Sequence, residues 1–398
     1  MNKYKIYKLI NSFWAIPIVL VIRIIAPFYK IEMLSINSDR IGHFVADTVQ
    51  QVLHKKNNDP KRVFLTSWQE PSINSFWSIY ISRFLKSASF ARYIYYWNTK
   101  IPGGLSHIKE NSLWSRDKHG NLENSKFKFT LDEQDNQKGE AWLKSKGWDG
   151  VSPYVCLLVR DSAYLDSLES HENVDWQYHG YRDSNIEDYR LAVEWLTSQG
   201  VWVLRMGKKM KEPLLIKNNK FIDYAFLEDK SDFLDIWLFG TCDLCISSLA
   251  GVDYVSDTFR RPLLILNYLP VVDAISWSDA INVPKNLIWK SSRKKLTLRE
   301  SINNNHLQSQ LYKDHGIEVV SLSANEILTS VKESWNAIKG RPNEKVLTEN
   351  DRTKFWEIMR TEETKSVSIL KDTKHNWIHP KSRVGADWLS KMDEDYLT

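Results

Sequence analysis

Apolar and polar positions follow two rhythms along this chain, and the switching between them predicts a series of strand, turn and helix units. Residues 31–36 are apolar and β-prone, 37–43 form a turn, and Phe44, Val45, Val49 and Val52 then recur at helical spacing. A second strand is predicted at 62–66, a helix near 76–85, and an aromatic strand over Tyr93–Trp97. The chain turns polar over 111–137, and Gly147-Trp148-Asp149-Gly150 ahead of Pro153 marks a break, so a domain boundary is expected near residue 150. The rhythm then restarts. Tyr154 to Val159 is a continuous buried-strand run, and Ile186, Tyr189, Leu191, Ala192, Trp195 and Leu196 are read as the apolar face of a helix closed by Gly200. Further strands are predicted at 201–204, 244–246 and 262–267, with a helix around 233–240. Such alternation implies the α/β class, with two Rossmann-like lobes at 31–150 and 151–345 whose parallel sheets face a central cleft. A basic and apolar segment, 1–30, precedes them, and a charged, helical tail, 346–398, follows.

Composition narrows the function classes. The chain has 398 residues, 42% hydrophobic and 26% charged, which suits a folded globular body and excludes disorder and fibrous repeats. A net charge of +5, spread along the sequence, is too weak for a nucleic-acid partner but compatible with an anionic membrane face or a phosphorylated ligand. Cys156, Cys242 and Cys245 lie in apolar runs without a zinc-like partner set, and read as buried thiols of a reducing compartment. The 17 tryptophans point to sugar platforms or to an interfacial aromatic belt. At the N-terminus, Lys3, Lys5 and Lys8 precede the apolar run Phe13–Ile22, which is shorter than the ~20 residues of a spanning helix. No small-residue cleavage site follows, so export is not expected. The segment is open to two readings, a surface contact on the cytoplasmic leaflet or a helix packed on the body.

In open parallel sheets ligands bind beyond the carboxyl ends of the strands, which selects Arg40, Gly42, His43, Arg160, Asp161, Arg205, Gly207, Ser247, Ser248 and Gly251. Ser247-Ser248-Leu249-Ala250-Gly251 follows a strand and opens a helix, a place for a phosphate or simply a capped turn. Arg160 and Arg205 end strands of the same sheet and would converge on a diphosphate, unless each pairs with a local acid such as Asp161 or Asp166 for Arg160. Residues Tyr178 to Ser184, with Tyr181, Arg182 and Asp183 among them, read either as a binding loop or as a helix-capping loop. His43 is the candidate general base, with Asp47 one helical turn further on. No Walker loop, HExxH, GxSxG, GxGxxG or strand-end Asp-x-Asp occurs, and neither a metal nor another cofactor is predicted.

Arg40-Ile41-Gly42-His43, Leu158 to Tyr164, Tyr181-Arg182-Asp183, Val203 to Gly207 and Ser247 to Gly251 together resemble a family of bacterial glycosyltransferases encoded with surface-polysaccharide genes for O-antigen or capsule. The resemblance spans about residues 31 to 270 and implies a GT-B architecture with the acceptor on the first lobe, the nucleotide-sugar donor on the second, and no essential metal. By that resemblance Ser248 and Gly251 hold donor phosphate, Arg160 and Arg205 neutralise the leaving diphosphate, with Asp161 beside them, and His43 serves the acceptor. It further implies a glycan or lipid-linked glycan acceptor at the inner membrane face. A polyol-phosphate transferase and a noncatalytic glycan-binding scaffold are the alternatives. The sequence departs from the heptosyltransferase pattern, in which an Asp stands where His43 stands here.

Overall fold

A computed structural model describes residues 12–56, 62–85, 87, 90–108, 115–166, 180–361 and 375–398. These form two compact units, Met1–Asp117 with Asn124–Phe127, and Lys118–Glu123 with Lys128–Thr398. The division falls upstream of the turn at 147–153, because the amphipathic helix 133–145 lays Leu143 and Gly139 against the second unit, where the ring of Trp237 occupies the space a Cβ on Gly139 would need.

The first unit opens with α1 (Ala15–Ile25), β1 (Lys30–Ile36), α2 (Ile41–Lys56), β2 (Arg62–Trp68), α3 (Ser75–Ser82) and α4 (Ala91–Lys100). Strands β1 and β2 pair in parallel, and single parallel bridges add Ile108 beside Met33 and Ser87 beside Thr66. Met33, Leu34 and Ile36 on β1 and Phe44, Val45, Val49 and Val52 on α2 are buried, as their spacing requires. The aromatic run expected as a strand is helix α4. Ala91, Ile94 and Asn98 recur at helical spacing on its buried side, and α1 packs along it, so tertiary burial outweighs the β-propensity of Tyr and Trp.

The main elements of the second unit are α5 (Glu133–Ser145), β3 (Tyr154–Leu158), α6 (Arg190–Ser198), β4 (Trp202–Arg205), β5 (Phe221–Ile222), α7 (Asp232–Thr241), β6 (Leu244–Ser247), α8 (Asp253–Thr258), β7 (Leu263–Tyr268), β8 (Ala280–Pro284), β9 (Asn286–Trp289), β10 (Ile317–Val320), α9 (Ala324–Ile338), α10 (Glu349–Thr361) and β11 (Arg383–Val384). Seven strands stand in the order β11-β8-β7-β6-β3-β4-β5, every neighbouring pair parallel. Counted from β3, the first six have the order 3-2-1-4-5-6 of a dinucleotide-binding sheet, and the winding reverses between β3 and β6. Strands β3, β6 and β7 are buried along their whole length, which explains their unbroken apolar sequence. Cys156, Cys242 and Cys245 are free, buried thiols in this core.

The charged, helical tail expected from the sequence begins as α10, then adds β11 to the open edge of β8 and continues into a short helix, Ala386–Leu389. That edge is fastened by Glu333 of α9, whose carboxylate pairs with Arg383 and accepts the amide of Ala386 at 2.9 Å.

Candidate functional site

The reversal between β3 and β6 opens a crevice at their carboxyl ends, and it is there that the second unit gathers charge. Arg160, just past β3, donates its backbone N–H to Ser248 Oγ at 2.8 Å and accepts the amide of Ser184 at 3.0 Å. These bonds tie the 180–184 loop to the ends of two adjacent strands. The loop in turn brings Asp183 to the Arg160 guanidinium, with Nε 3.4 Å from Oδ1, and sends Arg182 to the Leu249 carbonyl at 3.2 Å. Lys285, immediately after β8, donates from Nζ to the Asp183 carbonyl at 2.6 Å and is 4% exposed. Arg160 and Lys285 thus share largely desolvated surroundings with the Asp183 and Asp188 carboxylates, and Arg182 adds a third positive charge beside Arg160. Burial lowers Lys285 to about 8, with Arg160 reinforcing the shift and Asp183 opposing it. Burial and the neighbouring Arg182 bring Arg160 down to about 10. A buried surplus of positive charge of this kind is what an incoming anion relieves.

Several residues selected from sequence lie elsewhere or are already engaged. Arg205 ends β4 as expected, but its side chain is 1% exposed and donates to Asp223 Oδ2 at 3.1 Å and to the Glu212 carbonyl at 2.5 Å. It is a structural ion pair of the sheet rather than a ligand for a diphosphate. Asp223→Ala would leave that guanidinium buried without its carboxylate. The expected loss is about 3–5 kcal/mol of unfolding free energy, measured by denaturant titration.

The turn after β6 is likewise filled from within. Ser247 Oγ donates to the buried Asp253 carboxylate at 2.7 Å, and the backbone N–H groups of Ala250, Gly251 and Tyr254 lie near enough to favour its ionised form against burial. Asp253 thus sets a carboxylate beside the amides that the sequence offered to phosphate, while Ser248 and the Leu249 carbonyl bond to Arg160 and Arg182 at the crevice. Gly251 has φ +90°, a left-handed conformation that only glycine adopts without strain, so its role is to shape the turn. Gly207 fits tightly under Met210, whose sulfur would lie 2.5 Å from an added Cβ. Asp161 accepts the amides of Ala163 and Lys211, both at 2.9 Å, and fixes its own loop. Tyr181 is buried against Tyr312, with its amide on Ser309 Oγ. Tyr178, His179 and the side chain of Asp166 lie outside the described residues.

In the first unit, Arg40 and Gly42 open α2, and the third residue of that helix region is His43. His43 Nδ1 lies 2.6 Å from Ser115 Oγ, and Ser115 donates to Asp47 Oδ1 at 3.0 Å. Because the serine proton goes to Asp47, Oγ must accept from Nδ1–H, which leaves Nε2 as the basic nitrogen. Burial of one side of the ring lowers the His43 pKa, opposed by Asp47 and assisted by Arg40. The sequence revealed His43 and Asp47 one turn apart; Ser115, 72 residues from His43, gave no signal. Lys285 was missed for a related reason, since the short strand β8 ending in Pro284 carries no clear β pattern.

A cavity of about 290 Å³ opens at the opposite, amino-terminal ends of β3 and β6, between Trp148, Tyr154, Trp237 and Asp243. Its aromatic polar groups are spent on the wall: Trp148 donates to the Ser152 carbonyl at 2.7 Å and Tyr154 to that of Leu238 at 3.0 Å.

No protein-family model matches the chain, and no curated protein sequence matches it. Among solved structures, it is similar to the E. coli ADP-heptose LPS heptosyltransferase II, at 12% identity over 64% of this chain and 90% of that one, with a TM-score of 0.37. It is also similar to a glycosyltransferase family 9 protein from Veillonella parvula, at 10% identity over 64% and 86% with a TM-score of 0.40. A third likeness is to the E. coli heptosyltransferase WaaC with ADP, at 11% identity over 77% and 98% with a TM-score of 0.36.

Proposed function

We propose that the protein is a glycosyltransferase that moves a sugar from a nucleotide-sugar donor to a glycan acceptor, carried on a lipid of the cytoplasmic membrane face. The observation that carries this reading is the cluster of Arg160, Arg182 and Lys285 at the reversal point of a Rossmann-order sheet. In this reading the second unit holds the donor's diphosphate. Arg160, Arg182 and Lys285 stabilise the negative charge that grows on it as the glycosidic bond breaks. The first unit supplies His43, whose Nε2 takes the proton of the attacking acceptor hydroxyl as the new bond forms. Charge stabilisation by fixed cations makes a metal unnecessary, so turnover should survive chelation by EDTA.

Incubating the protein with nucleotide-sugars and a lipid-extract acceptor, then weighing the product by mass spectrometry, tests the proposal. A mass increase equal to one glycosyl residue supports it; an added polyol phosphate, or no transfer with any donor, refutes it.

Lys285 gives the donor site a pH dependence. Its ammonium form predominates below about pH 8, and an anion beside it favours that form. Nucleotide affinity should therefore be full near pH 7 and fall as the pH rises past 8, while the diphosphate, already ionised, does not change. Lys285→Arg should flatten this profile, measured by titration calorimetry from pH 7 to 9.

A further inference from the structure

Helix α1 turns toward solvent a face that carries no charge. Its buried stripe is Ala15, Val19 and Ile22, packed with Met33 and Ile94. Around the rest of its circumference stand Trp14, Ile18, Leu20, Val21 and Ile24, 37–73% exposed, and Phe28 follows at 74%. A helix lying against water places polar side chains there. The one charge of α1, Arg23, is folded back onto the carbonyls of Ile101 and Pro102 and the side chain of Asn98. The apolar face continues onto the start of α4, where Trp14 meets Phe90 and Tyr93 edge to face, and Phe90 is itself half exposed.

The sequence that carries this face is rich in cations. Residues 1–31 contain five lysines and arginines and no carboxylate, and residues 71–108 contain four and none. Together they exceed the net charge of +5 of the whole chain, so the remainder is net acidic. An apolar face of Trp, Phe, Ile and Leu carried on stretches of sequence rich in lysine and arginine matches an anionic lipid surface, with rings at the headgroup boundary and cations at the phosphates. A second copy of the chain fits poorly, since a symmetric contact would bring the same positive segments against each other. Among the described residues no helix is long and apolar enough to cross a membrane.

We propose that α1 and the start of α4 form a membrane-docking surface on which the protein lies, with Ile24 and Phe28 inserted among the acyl chains of an anionic leaflet. The surface would bring the first unit to a lipid-carried acceptor, and to that extent it rests on the function proposed above. Its test does not require turnover. In flotation assays, the protein should rise with phosphatidylcholine vesicles containing about one third phosphatidylglycerol, stay behind with phosphatidylcholine alone, and be released by salt. The double variant Ile24→Asp with Phe28→Asp should partition about tenfold or more weakly. Both positions are more than 70% exposed, and an unchanged circular dichroism spectrum and Tm would show the fold intact. Lys100→Gln, at an exposed end of α4, should shift release to lower salt. Failure of the wild type to float, equal flotation of the double variant, or a dimer in lipid-free sedimentation that the double variant dissolves would overturn the proposal. If flotation fails while sugar transfer is found, the docking surface alone is wrong; the reverse result would dispose of the enzymatic reading alone.

Discussion

His43→Ala is expected to lower kcat by about two to four orders of magnitude, the usual contribution of a positioned general base, while leaving nucleotide binding unchanged. The reason lies in the relay from His43 to Ser115 to Asp47, with spacings of 2.6 and 3.0 Å, which fixes the tautomer whose Nε2 is unprotonated. Ser115→Ala removes the acceptor for Nδ1–H without touching the acceptor sugar, and should cost less than the loss of His43. It should also change the acid limb of the pH profile. With its pKa lowered by burial, His43 stays neutral at pH 7, so kcat/KM should hold there and fall only as the pH drops below the ordinary imidazole range. In His43→Ala that limb should vanish. A His43→Ala enzyme with wild-type kcat and an unchanged profile would remove His43 from the chemistry.

The second large effect is expected at Arg160. Arg160→Ala should lower kcat by about 10²–10³, the cost of removing one fixed charge-stabilising donor in a preorganised site. Only the side chain is lost; the two backbone bonds that join the ends of β3 and β6 to the 180–184 loop remain. The fold should therefore persist, with a Tm near that of the wild type. Arg160→Lys should recover little, because an ammonium cannot reproduce the planar fork that binds phosphate oxygens while pairing with Asp183. Wild-type turnover in Arg160→Ala would show that the crevice is not the place where leaving-group charge develops.

Much of the second unit was legible in its sequence because its strands are buried on both faces. Tyr154 to Leu158, Leu244 to Ser247 and Leu263 to Tyr268 read as apolar runs, and their polar successors mark the strand ends. The place of Arg160 just past β3 was read that way. The same rule misled at Arg205, since a strand-end arginine has the same sequence signature whether it points to a ligand or, as here, to Asp223 eighteen residues later. At Ser247 to Gly251 the sequence showed amides available to an anion, but not that Asp253 would supply the carboxylate from its own helix. In the first unit the aromatic residues of α4 concealed a helix, because the packing of α1 that decides the matter is a long-range contact. Lys285 and Ser115 reach their partners across 102 and 72 residues, distances at which periodicity is silent.

The function proposed above requires the crevice between β3 and β6 to bind a nucleotide through Arg160, Arg182 and Lys285. The most direct measurement is calorimetric titration with UDP, GDP, TDP, ADP and CMP, comparing the wild type with Arg160→Ala and Lys285→Ala. One of these nucleotides should bind the wild type, and each variant should bind it about tenfold or more weakly, as expected for loss of a charge-assisted contact. Binding by none of the five, or wild-type affinity in both variants, would show that the crevice is not a nucleotide site.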